Sequence, residues 1–179
     1  TPYIRTTSQA LAAPRFDHDP VTGESLGLLV EEARTNLLPD SEDASSYDVI
    51  VGIHTIDTDS QVSPDGQQTA DNLIGDSSTS AKAVAYNYST VLNRYDTLSV
   101  FMKDAGFGYA IMALNSGATL ASVDLQLGTI SIVNRGLPTD ATDVSIKDYG
   151  DGWYRVSVTG QGNSTGSRGA EIFLSNDGV

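Results

Sequence analysis

From about residue 80 onward apolar residues recur at every second position, and no other feature restricts the fold of this chain as much. Leu98, Val100 and Met102 alternate with Thr97, Ser99 and Lys103, and Val123, Leu125 and Leu127 alternate with Asp124 and Gln126. The pattern continues in Val144-Ser145-Ile146-Lys147, in Tyr154-Arg155-Val156-Ser157-Val158 and in Glu171-Ile172-Phe173-Leu174. Successive strand side chains point to opposite faces, so a period of two marks a strand with one dry and one wet face. Between these runs stand Asn115-Ser116-Gly117, Asn134-Arg135-Gly136, Gly150-Asp151-Gly152 and Gly160-Gln161-Gly162-Asn163, residues suited to reversing the chain. Short alternating strands separated by turns predict an all-β fold, a two-sheet antiparallel β-sandwich.

Lys82 to Tyr88 reads as a further strand, with Val84, Tyr86 and Tyr88 on one face. Toward the N-terminus the pattern weakens. Residues 1–20 show little periodicity and read as an irregular arm, with 21–179 as the sandwich module. Asp57 to Ser63 is a polar stretch and reads as a loop. Ser25 to Ala33 suits a short helix or a strand ending near Glu31; Gly27 and the β-branched Val30 favour the strand.

The chain has 179 residues, enough for one domain with a real core and no staples, and it contains no cysteine. Disulfides, thiolate metal sites and cysteine nucleophiles are therefore excluded. The formal net charge is −13, from 10 Lys+Arg against 23 Asp+Glu. Phosphate backbones are bound by a basic footprint, so a nucleic-acid partner is not expected. No apolar run approaches the ~20 residues of a membrane span, and membrane insertion is not expected either.

Pro14 to Leu38, PRFDHDPVTGESLGLLVEEARTNLL, closely resembles a segment of bacteriophage and prophage virion proteins. In that family the segment leads into a β-sandwich similar to carbohydrate-binding modules and concanavalin-like lectins, often jelly-roll in form. Ser63-Pro64-Asp65-Gly66 with Thr69 to Leu73, Leu98 to Lys103, and Asp151 to Val158 resemble the family's later loop and strands, so the likeness covers most of residues 14–174. The family's closing strand and its Tyr-Ile-Pro-Thr-like tail have no counterpart before Val179, which implies that the last strand is missing. Thr1 to Thr6 resembles that tail, with Arg5 in place of proline, as though it ended a preceding module of a larger fibre or spike.

The resemblance implies a non-enzymatic virion protein on the particle surface, in a tail or head appendage, whose partners are other virion subunits and host-surface polysaccharide. Fibres of this kind are commonly trimeric. Residues 1–14 form a polar arm able to lie on a neighbour, and a missing last strand would leave an open edge beside Glu171 to Leu174 that a neighbour must cover. A homotrimer is therefore expected. The alternative is a purely structural fibre, collar or capsid-decoration module without glycan binding.

Tyr86, Tyr88, Tyr95 and Tyr109, with Phe107 beside them, are the candidate carbohydrate-binding residues, provided that their strands share one sheet and expose one aromatic patch. Trp153 also suits sugar stacking, but beside a tight Gly-Asp-Gly turn it reads first as a core anchor. Asp17 and Asp19, around His18 and ahead of Thr22 and Glu24, offer oxygen ligands for calcium, the one cofactor considered. Thr22 and Leu28 stand where an EF-hand needs glycine and a carboxylate, so a turn held by Asx bonds is the plainer reading. Asp57, Asp59, Asp140 and Asp143 read as solvated carboxylates. Neither His18 nor His54 has a serine in a nucleophile elbow to serve, and the aspartates single out no glycosidase pair, so catalysis is not expected.

Overall fold

The computed structural model describes residues 16–18, 24–28, 35–40, 42–77, 82–115, 119–133, 141–162, 165–166 and 169–176. Contacts divide the chain into Thr1–Pro39 and Asp40–Val179. In the first unit, β1 (Phe16–His18) and β2 (Ser25–Leu28) pair antiparallel, with a register shift between Asp17 and His18. The strand reading at Ser25 thus holds as far as Leu28; residues 29–33 lie outside the described residues. Phe16–His18, within the expected irregular arm, is strand.

The second unit is an all-β antiparallel sandwich. Its strands are β3 (Asp48–Val51), β4 (Ile53–Val62), β5 (Gln68–Gly75), β6 (Lys82–Tyr86), β7 (Tyr95–Lys103), β8 (Tyr109–Leu114), β9 (Thr119–Asp124), β10 (Thr129–Ile132), β11 (Asp143–Asp148), β12 (Trp153–Gln161) and β13 (Ala170–Ser175). Six strands in the order β10-β9-β8-β13-β6-β3 make one sheet, β11-β12-β7 make the facing sheet, and β4-β5 form a separate ribbon. A 3-10 turn, Ala44–Ser46, precedes β3; Asp43 caps it by accepting the Ser45 N–H.

Period two decides which residues meet between the sheets. Met112, Leu114, Val123 and Val84 of the large sheet, and Leu98, Met102, Val156 and Val158 of the small one, are buried. Even-numbered residues of β7, β11 and β12 point inward, because each stands opposite an even-numbered partner in register. Gly160 of β12 lies tightly against Thr119 of β9: a side chain at Gly160 would overlap that of Thr119.

Several expectations are corrected. β13 is not an edge strand: it lies between β8 and β6 and is paired along both sides, so the open edge beside Glu171 to Leu174 does not exist. Asp57 to Val62 belong to β4 and not to a loop; the ribbon is exposed on both faces along much of its length, so its strands carry no apolar alternation. The register of β4 with β5 shifts between Asp57 and Gln61, where Asp59 takes φ 52°. The alternation through Leu127 overran its strand: β9 ends at Asp124, whose carboxylate accepts the Gln126 and Leu127 N–H groups and turns the chain, leaving Leu127 75% exposed. Trp153 is no core anchor. It is odd-numbered, hence on the outer face of β12, half-buried, with its indole N–H donating to the Val62 carbonyl at 3.2 Å.

The segment before β7 is held by charge. Asp96, buried at the start of β7, accepts from Arg94 Nε at 2.6 Å and from the second guanidinium nitrogen at 3.0 Å, and Tyr88 donates to the same carboxylate at 3.4 Å. Burial and the neighbouring Asp96 push the Tyr88 phenol well above its ordinary pKa. Tyr47, packed edge-on against Tyr86, is pushed from 10.0 to about 12, by burial first and then by Tyr86 and nearby aspartates.

Both shifts favour the protonated form in the folded state. Below the unfolded value of 10.0 they leave stability unchanged; above it the unfolded chain loses protons first, and stability falls through the folded value of about 12 for Tyr47. A spectrophotometric alkaline titration should show Tyr47 and Tyr88 ionising late, with the melting temperature dropping once the pH passes 10.0. Simultaneous ionisation of all phenols in a still-folded chain would contradict this.

Candidate functional site

The outer face of the β11-β12-β7 sheet gathers the chemistry that the core has no use for. Gly150, Asp151 and Gly152 take positive φ of 85°, 51° and 78° in succession, which makes the β11–β12 turn tight. Asp148 accepts the Gly150 N–H at 2.7 Å, and the Tyr149 N–H donates to the Trp153 carbonyl at 2.9 Å. Tyr149 is thereby set opposite Trp153, which stands opposite Lys103. The next row is Lys147, Arg155 and Phe101, then Ser145, Ser157 and Ser99, then Asp143, Thr159 and Thr97.

One end of the face is aromatic and cationic, the other hydroxylic. Phe101 and Tyr149 meet edge-to-face at 5.0 Å, and Lys147 Nζ lies 5.2 Å from the Tyr149 ring centroid. Ser145 and Ser157 share a hydrogen bond of 2.8 Å, as do Thr97 and Thr159. The described residues include five cations. Lys82 is paired with Asp76 at 3.7 Å and Arg94 with Asp96, whereas exposed Lys103, Lys147 and Arg155 have no ion pair among the described residues. Three uncompensated cations thus share one face of a chain whose net charge is −13.

The expected tyrosine platform is not assembled. Tyr86 and Tyr109 share the large sheet but oppose Ala170 and Ser175 of β13, an odd number of residues apart, and so lie on opposite faces. Tyr88 lies beyond β6, its ring filling the place where a Gly169 side chain would go. Tyr95, 59% exposed, opens β7 in the other sheet, and Phe107 lies 5.9 Å from Lys82 Nζ.

Asp17 falls in β1, while Asp19 and Asp140 lie outside the described residues. Among the described residues no group of three His, Cys, Asp or Glu is placed to hold a metal. A shallow hollow lined by Glu42, Asp43, Asp59 and Asp71 is acidic, but Asp71 is occupied structurally, accepting the Ala44 N–H at 2.7 Å and the Asp59 N–H at 2.9 Å.

Parity alone places Lys147, Trp153 and Arg155 on one wet face about the Gly-Asp-Gly turn; bringing Lys103 and Phe101 beside them required the β7–β12 register. No protein-family model matches the chain, and no curated protein matches it.

Proposed function

We propose that this chain is a non-enzymatic module of a bacteriophage virion appendage that adheres to host-surface polysaccharide. The observation that carries the reading is the segment Pro14 to Leu38, with its resemblance to virion proteins that continue into a carbohydrate-binding-like sandwich. The all-β sandwich of residues 40–179 agrees with what that resemblance implies. Weak contacts suffice for such a role when many copies, such as trimeric fibres, act on one particle.

A structural fibre, collar or decoration module is the second reading. It is favoured by Val91, Leu92 and Tyr95, which are 42%, 54% and 59% exposed within one short segment and offer an apolar contact point to another subunit.

Immunogold labelling of particles that carry the gene, together with adsorption assays in the presence of the purified chain, tests both. Label on an appendage and slowed adsorption are expected. Unlabelled particles would refute the virion assignment, and labelled particles whose adsorption ignores the free chain would select the structural reading.

A further inference from the structure

Resting on the adhesion reading, we infer that the outer face of β11-β12-β7 is the glycan-binding face, and that its ligand is a polysaccharide bearing carboxylate or sulfate groups. Lys147 and Arg155 stand directly opposite each other in register. Like charges so placed repel and destabilise a strand pair. The other two described cations are not left in this state: Lys82 and Arg94 each have a carboxylate. No described acidic residue forms an ion pair with Lys103, Lys147 or Arg155. A local rule broken without structural compensation is expected where a ligand supplies what is missing, and here the missing partner is an anion.

The neighbours specify what carries that anion. Tyr149, 46% exposed, and Phe101 and Trp153, both half-buried, put aromatic surface within the same two rows as the three cations. The indole N–H is committed to Val62, which fixes the ring at the border of the face. Aromatic faces suit the C–H faces of sugar rings, and the adjoining Ser and Thr rows supply hydroxyls. With strands about 4.8 Å apart, the Cα atoms of the three cations fall within about 12 Å. A polymer with occasional charges between neutral rings fits this layout. A densely charged backbone would meet the rest of a −13 surface, although repulsion from acids more than a Debye length of about 8 Å away is screened.

Trp153 is the only tryptophan, so its fluorescence reports on this face alone. The full chain is titrated at low salt with polygalacturonate, dextran sulfate, neutral dextran, polyacrylate and an oligothymidylate. A saturable change with at least one acidic polysaccharide, and none with dextran or polyacrylate, is expected. The double variant Lys147→Ser/Arg155→Ser should bind about tenfold or more weakly. Its melting temperature should be equal or higher, since the like-charge pair is gone; a merely structural role for the two cations would lower it.

Silence toward both acidic polysaccharides, an equal response to polyacrylate, tighter binding of the oligothymidylate, or unchanged affinity in the double variant would each overturn the inference. If in addition the double variant slows adsorption as well as the parent chain does, adhesion stands and resides on another face. If the parent chain slows nothing, the adhesion reading fails independently of this face.

Discussion

Met112→Ala should lower the unfolding free energy by about 2–5 kcal/mol, the range for truncating a fully buried methionine. Met112 is completely buried near the middle of the large sheet, with Ala121 of β9 and Ile172 of β13 opposite it. Ala110 and Ala121 on the same face have no length with which to fill a void. Cost at a fixed chemistry depends on how far a site can collapse, and this one has little to collapse with. Denaturant unfolding followed by circular dichroism measures the effect as a lower midpoint at unchanged slope. A loss below about 1 kcal/mol would mean that the large and small sheets do not close on Met112.

Gly160→Ala should cost about 3 kcal/mol, near the upper end of what overpacking a core ordinarily costs. The reason is steric. Gly160 points inward from β12, and the added methyl would occupy the volume of Thr119 Oγ1 and Cγ2. Thr119 is fully buried and, being β-branched, has few rotamers to retreat into. The two sites should therefore couple: Thr119→Ala should cost less in the Gly160→Ala background than in the parent chain. Strict additivity in that double-mutant cycle would show that the sheets do not meet at this point.

The contrast between these two residues also explains what could be read beforehand. β7, β11 and β12 were legible because each has one wet and one dry face, and alternation survives in the sequence. β8 escaped: Ala110, Met112, Ala113 and Leu114 are all buried, so both parities are apolar and no period remains. β4 escaped for the opposite reason, being polar on both sides. The Tyr86, Tyr88, Tyr95 and Tyr109 grouping failed because side-chain parity is fixed along one strand, whereas proximity across strands depends on register and sheet order, which no local pattern encodes. The cationic face was half legible on the same terms: a tight turn ties β11 to β12, but β7 is separated from β12 by residues 104–152.

The place of β13 has a consequence for how the chain is made. Residues 170–175 are the last of the described strands in chain order, yet they are the seam between β10-β9-β8 on one side and β6-β3 on the other. During synthesis those two groups emerge without the strand that joins them, each presenting an edge to the other and to any neighbouring nascent chain. Closure of the large sheet must wait until Ser175 has cleared the ribosome, and it then depends on contacts of high sequence separation such as Ile172 with Val84, the kind that slow folding most. A polypeptide interrupted before Gly169 would thus lack the strand that pairs with both β8 and β6.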